Sequence, residues 1–366
     1  MKNALKILIL FMVSLAITGA GGNKVKVPNP WQRRVIDAHS HLSPWAEDRV
    51  SRIMQDNSLI AMVNMSGGYY ASRTMRGCLN MQKDLKGHEF NCYTPDWRYI
   101  DDPDFGYLEA IRLRFAVHKL GYKCLKISKV LGLYVRDNAG VIVAINDGRL
   151  DPLWTEAGLL GVPVYQHVAD PKAFFKPCDK TNERYAELKV HPYWCFYGKD
   201  YFTYDEMMAQ FEDELRRHPE TDIIGVHFGN DAEDPDNVSR MLDTYPNYFI
   251  DIAARVPEFG RHSAKLMRKF FIKYQDRVMF ATDIGVGRRN LMLGSGDGTI
   301  KTMADAKKFY SQIYKYFETD LPAIASPTPI QGNWDIHPVN LPKPVLDKIY
   351  RLNAIRLDHL PIPVQR

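Results

Sequence analysis

Val35-Ile36-Asp37-Ala38-His39-Ser40-His41 reads as a β-strand that ends in two histidines. Three further stretches have the same form: Val162-Pro163-Val164-Tyr165-Gln166-His167, Asp222-Ile223-Ile224-Gly225-Val226-His227 and Val278-Met279-Phe280-Ala281-Thr282-Asp283. Each is an apolar run closed by a residue type that ligates metals. In a parallel α/β barrel the C-terminal strand ends all face one mouth, and catalytic residues come from several of them. Ligands far apart in the chain then converge in space. The pattern predicts a metal-dependent enzyme site on a barrel.

Outward from these runs, the chain alternates strand with helix. Leu59 to Val63, a stretch near Asn91 to Thr94, Cys124 to Ile127 and Tyr248 to Ile252 supply further strands. Helices read from Gly106 to Leu120 and from Leu153 to Leu160, stopped by Gly121 and Gly161 as C-cap glycines do. Thr203-Tyr204-Asp205-Glu206 is a capping box before a helix from Glu206 to Arg217. Pro235 to Asp243, Ala264 to Tyr274, Ala304 to Tyr316 and Lys343 to Leu357 follow as helices. Such alternation is the signature of βα units on a parallel sheet. Two stretches depart from it. Residues 69–105 read as a long excursion containing the third strand. Residues 170–202, rich in Lys, Tyr, Phe and Pro, read as a loop over the mouth, a substrate lid weighed evenly against a structural surface loop.

The chain has 366 residues, which fits one decorated barrel domain over residues 35–366. Apolar and charged fractions of 45% and 25% are ordinary for a globular protein. The net charge of +5 is spread along the chain, which argues against a nucleic-acid partner. Lys2 and Lys6 precede the apolar run Ile7 to Ile17, and Thr18-Gly19-Ala20 supplies small residues. Residues 1–20 thus read as a secretory signal peptide and 21–34 as an entry linker. The expected location is periplasmic or extracellular, with no stable membrane span after cleavage; an uncleaved anchor is the lesser alternative. Of five cysteines, Cys78–Cys92 and Cys178–Cys195 are candidate disulfides, each weighed evenly against free thiols.

His39 and His41 stand two apart, so on a strand both rings point to one side. Catalytic zinc sites use three protein ligands and keep an open position. His167 would add a third nitrogen and Asp283 an oxygen; Asp283 also suits a proton acceptor, and His227 an electrophile or acid. No H-E-x-x-H, G-x-S-x-G or P-loop pattern competes with this reading. Gly294-Ser295-Gly296-Asp297-Gly298 reads as a flexible loop before an anion cradle, and Tyr193, Trp194, Phe196 and Tyr197 as lid packing before ligand stacking. The sequons at Asn64 and Asn237 matter only in a glycosylating host.

These pieces together resemble the amidohydrolase superfamily, in its amidohydrolase-related type 2 group of metal-dependent hydrolases and decarboxylases. The resemblance runs from Val35 to Leu357 and includes Leu125-Lys126-Ile127, Ile224-Gly225-Val226-His227-Phe228-Gly229-Asn230, Tyr248-Phe249-Ile250-Asp251-Ile252-Ala253-Ala254-Arg255 and the tail Leu346 to Ala354. It implies a distorted (β/α)8 TIM barrel of the metallo-dependent hydrolase type. It further implies one divalent metal, zinc first and manganese second, on His39, His41, His167 and Asp283, with His227 acting on substrate. Lys126 has three readings: a carboxylated bridge between two metals, a clamp on a substrate carboxylate, or a salt-bridged lysine. Arg255 is a second candidate anion clamp, weighed against a structural ion pair.

The expected function is an exported hydrolase that cleaves an ester, lactone or amide of a small molecule with metal-activated water. Asp283 would accept the proton, and His227 would stabilise the oxyanion or protonate the leaving group. The first alternative is a non-oxidative decarboxylase of an aromatic or unsaturated acid, and the second a non-catalytic metal- or ligand-binding barrel. A homo-oligomer is allowed, and neither substrate identity nor metal count is fixed by these residues.

Overall fold

The apolar runs form one sheet in the computed structural model, which describes residues 33–198 and 200–363. Its strands are β1 (Val35–Leu42), β2 (Leu59–Asn64), β3 (Glu89–Tyr93), β4 (Cys124–Ile127) and β5 (Val164–Gln166). They continue as β6 (Ile223–Gly225), β7 (Tyr248–Asp251), β8 (Val278–Met279), β9 (Ile284–Val286) and β10 (Leu291–Leu293). From β1 to β8 each strand pairs in parallel with the next. The chain then closes the barrel on itself. β9 pairs in parallel with β1, and β10 folds back antiparallel on β9. Between β8 and β9, Phe280 O accepts from Ala38 N (3.0 Å), and Asp283 N donates to His39 O (2.9 Å). β8 is shorter than the sequence suggests because the chain leaves regular geometry here to make this seam.

Both faces of the sheet are dry, which explains the continuous apolar runs. Ile36, Ala38, Val63, Phe90, Tyr165, Ile224 and Met279 fill the barrel interior, and Ala354, Leu357 and Leu360 close the end opposite the mouth. The outward faces pack on the helices. Gly121 and Gly161 end their helices with φ of 76° and 64°, a left-handed geometry that costs a side chain more than glycine. The capping box at Thr203 and Glu206 forms in full. The terminal helical segment is interrupted by a π turn over Lys348–Leu352. No helix among the described residues is long and apolar enough to cross a membrane. The signal-peptide assignment to 1–20 and nearly all of the linker lie outside the described residues.

Residues 69–105 are more regular than the excursion read from sequence. They hold the helix Arg73–Asp84, capped by Ser72 and buried through Met75, Cys78 and Met81. A mid-helix Gly77 and polar neighbours mask its periodicity; Gly77 is there because a Cβ would stand 2.5 Å from Pro44 Cβ. The cysteine pairing is also corrected. Cys178–Cys195 forms, but Cys92 bonds Cys124 and leaves Cys78 free and buried. Cys92 and Cys124 are register partners on β3 and β4 and both point into the barrel. Cys78 lies on the other side of the sheet, beside Asn64.

At the closed end Tyr165 donates its hydroxyl to Asp358 (2.9 Å), whose carboxyl burial pushes up to about 8 against that hydrogen bond. The folded chain therefore holds a proton here that the unfolded chain releases near pH 4. Its contribution to stability is present below that pH and is lost as pH rises toward 8. Asp358→Asn is expected to flatten the fall in stability across this window by up to about 1.4 kcal/mol per pH unit. Denaturant melts from pH 5 to 8 check this; an unchanged slope means that Asp358 titrates normally.

Candidate metal centre

The mouth of the barrel collects the strand-end residues. His39 is fully buried on β1 and His41 follows on the same side. Each ring is held by its Nδ1: His39 against Asp251 Oδ2 (2.8 Å), His41 against Ser66 Oγ (2.7 Å). Ser66 is itself fixed, because Asn64 Oδ1 accepts both Ser66 N and Leu42 N at 3.0 Å. The first sequon's asparagine is thus a buried structural residue. With Nδ1 occupied, both rings turn Nε2 toward Asp283 Oδ1, at 3.6 Å for His39 and 3.3 Å for His41. Ligand atoms of all three residues lie within 4.8 Å of one another.

Asp283 reaches this place through a left-handed backbone, φ 59°. His227 and Phe228 after β6 (59° and 62°), Ala254 after β7 (55°) and Ala169 after β5 (55°) share that conformation. Non-glycine residues held so are strained, and strain of this kind clusters at functional sites. Burial raises the Asp283 carboxyl, but the His41 hydrogen bond and the neighbouring His39, His41 and Lys126 side chains outweigh it and leave it below its ordinary value. Asp283 is therefore ionised at neutral pH.

His227 Nδ1 donates to Ala253 O (2.9 Å), since a carbonyl can only accept. Its Nε2 is then the bare nitrogen. Burial and the nearby Arg255 charge hold His227 well below the usual histidine range, so it stays neutral. His167 does not join the close-set trio. Its ring lies 4.4 Å from that of His227, and its buried Nε2 has no hydrogen-bond partner among the described residues. Lys126 is buried with an equally unpartnered Nζ, and burial lowers it to about 8 against the pull of Asp251 and Asp283. Arg255, also buried, bonds only Asn230 Oδ1 (3.0 Å) and Ala254 O (3.1 Å) among the described residues. It makes no ion pair there.

A family model for amidohydrolases matches residues 100 to 357, a stretch that holds His167, His227, Asp251 and Asp283 but begins after His39 and His41. The chain belongs to this amidohydrolase family. No curated protein matches it in sequence. Solved structures share the barrel. The 2,6-dihydroxybenzoate decarboxylase from Rhizobium is 15% identical over 90% of this chain and 98% of its own, with a TM-score of 0.52. A putative amidohydrolase from Staphylococcus aureus gives 14%, 90%, 100% and 0.55. A manganese-bound dihydroxybenzoic acid decarboxylase from Polaromonas gives 13%, 91%, 98% and 0.53. At these identities the likeness establishes the fold alone.

The donor set of this amidohydrolase fits a divalent cation. Two imidazole nitrogens and a carboxylate oxygen converge, and His39 Nε2 is buried without a hydrogen-bond partner among the described residues. A buried polar atom left so is costly unless something outside the chain satisfies it. His39, His41 and Asp283 would hold the ion; His227, after β6, has its ring 5.0 Å from that of His39, and His167, after β5, packs against His227.

Asp251 was not among the sequence candidates. A lone acid at the end of a strand carries no spacing signal, although it sits in a run that resembles the family. Asp170 was missed likewise; it pairs with Lys129 (2.7 Å) and stands 3.9 Å from His167 Nε2. Over them lies a cavity of about 190 Å³, lined by Phe174, Arg184, Glu187 and Trp194 from the 170–202 segment and by Arg255 and Ser295. That segment is pinned by Cys178–Cys195 and by buried Arg184, which pairs with Glu187 and Glu258. Trp194 stacks on His191 (4.0 Å between centroids) beneath Lys129, so its faces are engaged by protein. In the glycine-rich loop Ser295 bonds Glu187 and Gly296 O meets His191, so the loop is fastened to the 170–202 segment.

Proposed function

We propose that this protein is a metal-dependent decarboxylase of a small aromatic or unsaturated carboxylic acid. The observation that carries the reading is Arg255, a buried guanidinium at the cavity wall without a carboxylate partner among the described residues. Glu233, Asp170 and Glu187 act on it through space without forming an ion pair among the described residues, and a buried charge that lacks a direct partner favours binding an anion. Hydrolysis of a neutral ester or amide has no use for it, whereas a substrate carboxylate would receive two parallel hydrogen bonds. Several of the solved structures that share the fold are named as decarboxylases, in keeping with this choice. It reverses the order that the sequence alone suggests.

A bound divalent ion would supply Lewis acidity toward substrate oxygens. Arg255 binds the acid and orients it, and His227 offers Nε2 as an acceptor. The bond from carbon to carboxylate breaks, CO2 leaves, and the carbon takes a proton. Asp283 relays that proton after gaining it from substrate or solvent. Zinc and manganese are both admitted by imidazole and carboxylate donors. We also propose that the chain is exported, on the strength of residues 1–20; N-terminal sequencing of the mature protein tests this.

A second reading keeps hydrolysis of an ester, lactone or amide. The ionised state of Asp283 favours it, since a carboxylate held charged suits accepting a proton from water. Aromatic acids, lactones, esters and amides offered to zinc- and manganese-loaded protein separate the two. CO2 release without addition of water supports decarboxylation. Hydrolytic products without CO2 overturn it in favour of the second reading. No turnover with any of them leaves a binding barrel. Arg255→Met is expected to raise KM for a carboxylate substrate about 10- to 100-fold, the worth of a charge-assisted pair, with a smaller change in kcat. An unchanged KM removes Arg255 from substrate binding.

A further inference from the structure

Asp251 ends β7 and is fully buried. Its Oδ2 meets His39 Nδ1 at 2.8 Å. Its Oδ1 accepts the backbone N–H groups of His227 (2.7 Å) and Ala253 (3.0 Å). Ala253 then receives His227 Nδ1 on its own carbonyl. One carboxylate thus joins the histidine of the first strand to the histidine of the sixth. Asp251 lies within ligand range of both histidines. Both of its oxygens are already spent on these hydrogen bonds, which argues against direct ligation.

The chemistry follows from the ring. A neutral imidazole carries one N–H and one lone pair, and an ionised carboxylate can only accept. A carboxylate at Nδ1 therefore keeps the proton there and leaves the lone pair on Nε2. That Nε2 is buried and has no hydrogen-bond partner among the described residues; Asp283 Oδ1 lies 3.6 Å from it. Such outer carboxylates set the tautomer and basicity of ligating histidines, and losing one typically costs about 10- to 100-fold in metal affinity.

We propose that Asp251 is the positioning residue of this centre: it fixes His39 as the Nδ1–H tautomer, presenting Nε2 to the cation, and with the same carboxylate holds the strained turn that leaves His227 Nε2 bare. The proposal rests on the metal reading of the site. Lys126, Asp283 and His41 also face His39, but the structure gives none of them a hydrogen bond to its Nδ1.

Asp251→Asn tests this with little change of shape. The amide oxygen can still accept both backbone N–H groups, while its NH2 can only donate toward His39. That drives the ring proton to Nε2 and blocks the ligand. The zinc and manganese dissociation constants, by chelator competition, are expected to rise about 10- to 100-fold or more. Circular dichroism of the metal-free variant should stay close to the wild type. If the variant fails to fold, the wild type still decides. Nitrogen-15 NMR of the metal-free protein at neutral pH, with His39 assigned by its loss in His39→Gln, should show the Nδ1–H tautomer. The Nε2–H tautomer, which a protonated Asp251 would impose, overturns the proposal. So does a folded Asp251→Asn that binds as tightly as the wild type. A wild type that takes up neither metal overturns the metal reading itself, and the proposal with it.

Discussion

Asp283→Asn is expected to lower kcat by about three orders of magnitude or more while the fold is kept. General acid–base groups alone contribute about 10²- to 10⁴-fold. Asp283 has a second task as the oxygen donor opposite His39 and His41. Its backbone N–H, which seals the barrel against His39 O, survives the substitution. The variant should therefore melt near the wild-type temperature, and metal content measured beside kcat separates the two tasks. Loss of turnover with the metal retained isolates the proton relay. Loss of both shows that ligation dominates. Full turnover with metal bound would end the case for Asp283 as proton carrier in decarboxylation and hydrolysis alike.

His39→Ala with His41→Ala is expected to take the metal content of residues 21–366 from near one ion per chain to near none, and activity with it. Two of the three converging donors are then gone, and Asp283 is left beside the buried Lys126 without the paired imidazoles of the first strand. The stabilisation lent by the ion is lost as well; at a metal concentration of 100 times Kd that is about 2.7 kcal/mol. Elemental analysis and thermal melts with and without added metal measure both effects. Two ions per wild-type chain would point to Lys126 as a carboxylated bridge, since its unpartnered Nζ lies among the same residues. No uptake of zinc or manganese would leave a metal-free site.

Both substitutions act on residues that the sequence exposes, for a physical reason. A strand repeats every two residues, so an H-x-H pair must face one way, and a parallel barrel must bring its strand ends together. The apolar runs, Gly121, Gly161 and the Thr203–Glu206 box are local devices and read locally. Partners chosen across the sheet are not local. Cys92 could not be assigned to Cys124 without knowing that β3 and β4 are in register there. Asp251 is one strand-end acid among many until folding sets it beside His39, 212 residues away in the chain. The closing seam at Phe280–Asp283 and the left-handed turns at His227 and Ala254 break the strand pattern for the sake of the site.

Residue order alone thus determined the barrel, the mouth at its strand ends and a metal-binding type of chemistry there, because periodicity and capping are properties of neighbours in the chain. Tertiary structure decided which strand ends stand together: His39 and His41 with Asp283, the His227 ring 5.0 Å from that of His39, His167 packed on His227, and Arg255 on the cavity wall without an ion pair among the described residues. Those are distances between strands, and they exist only once the sheet has closed.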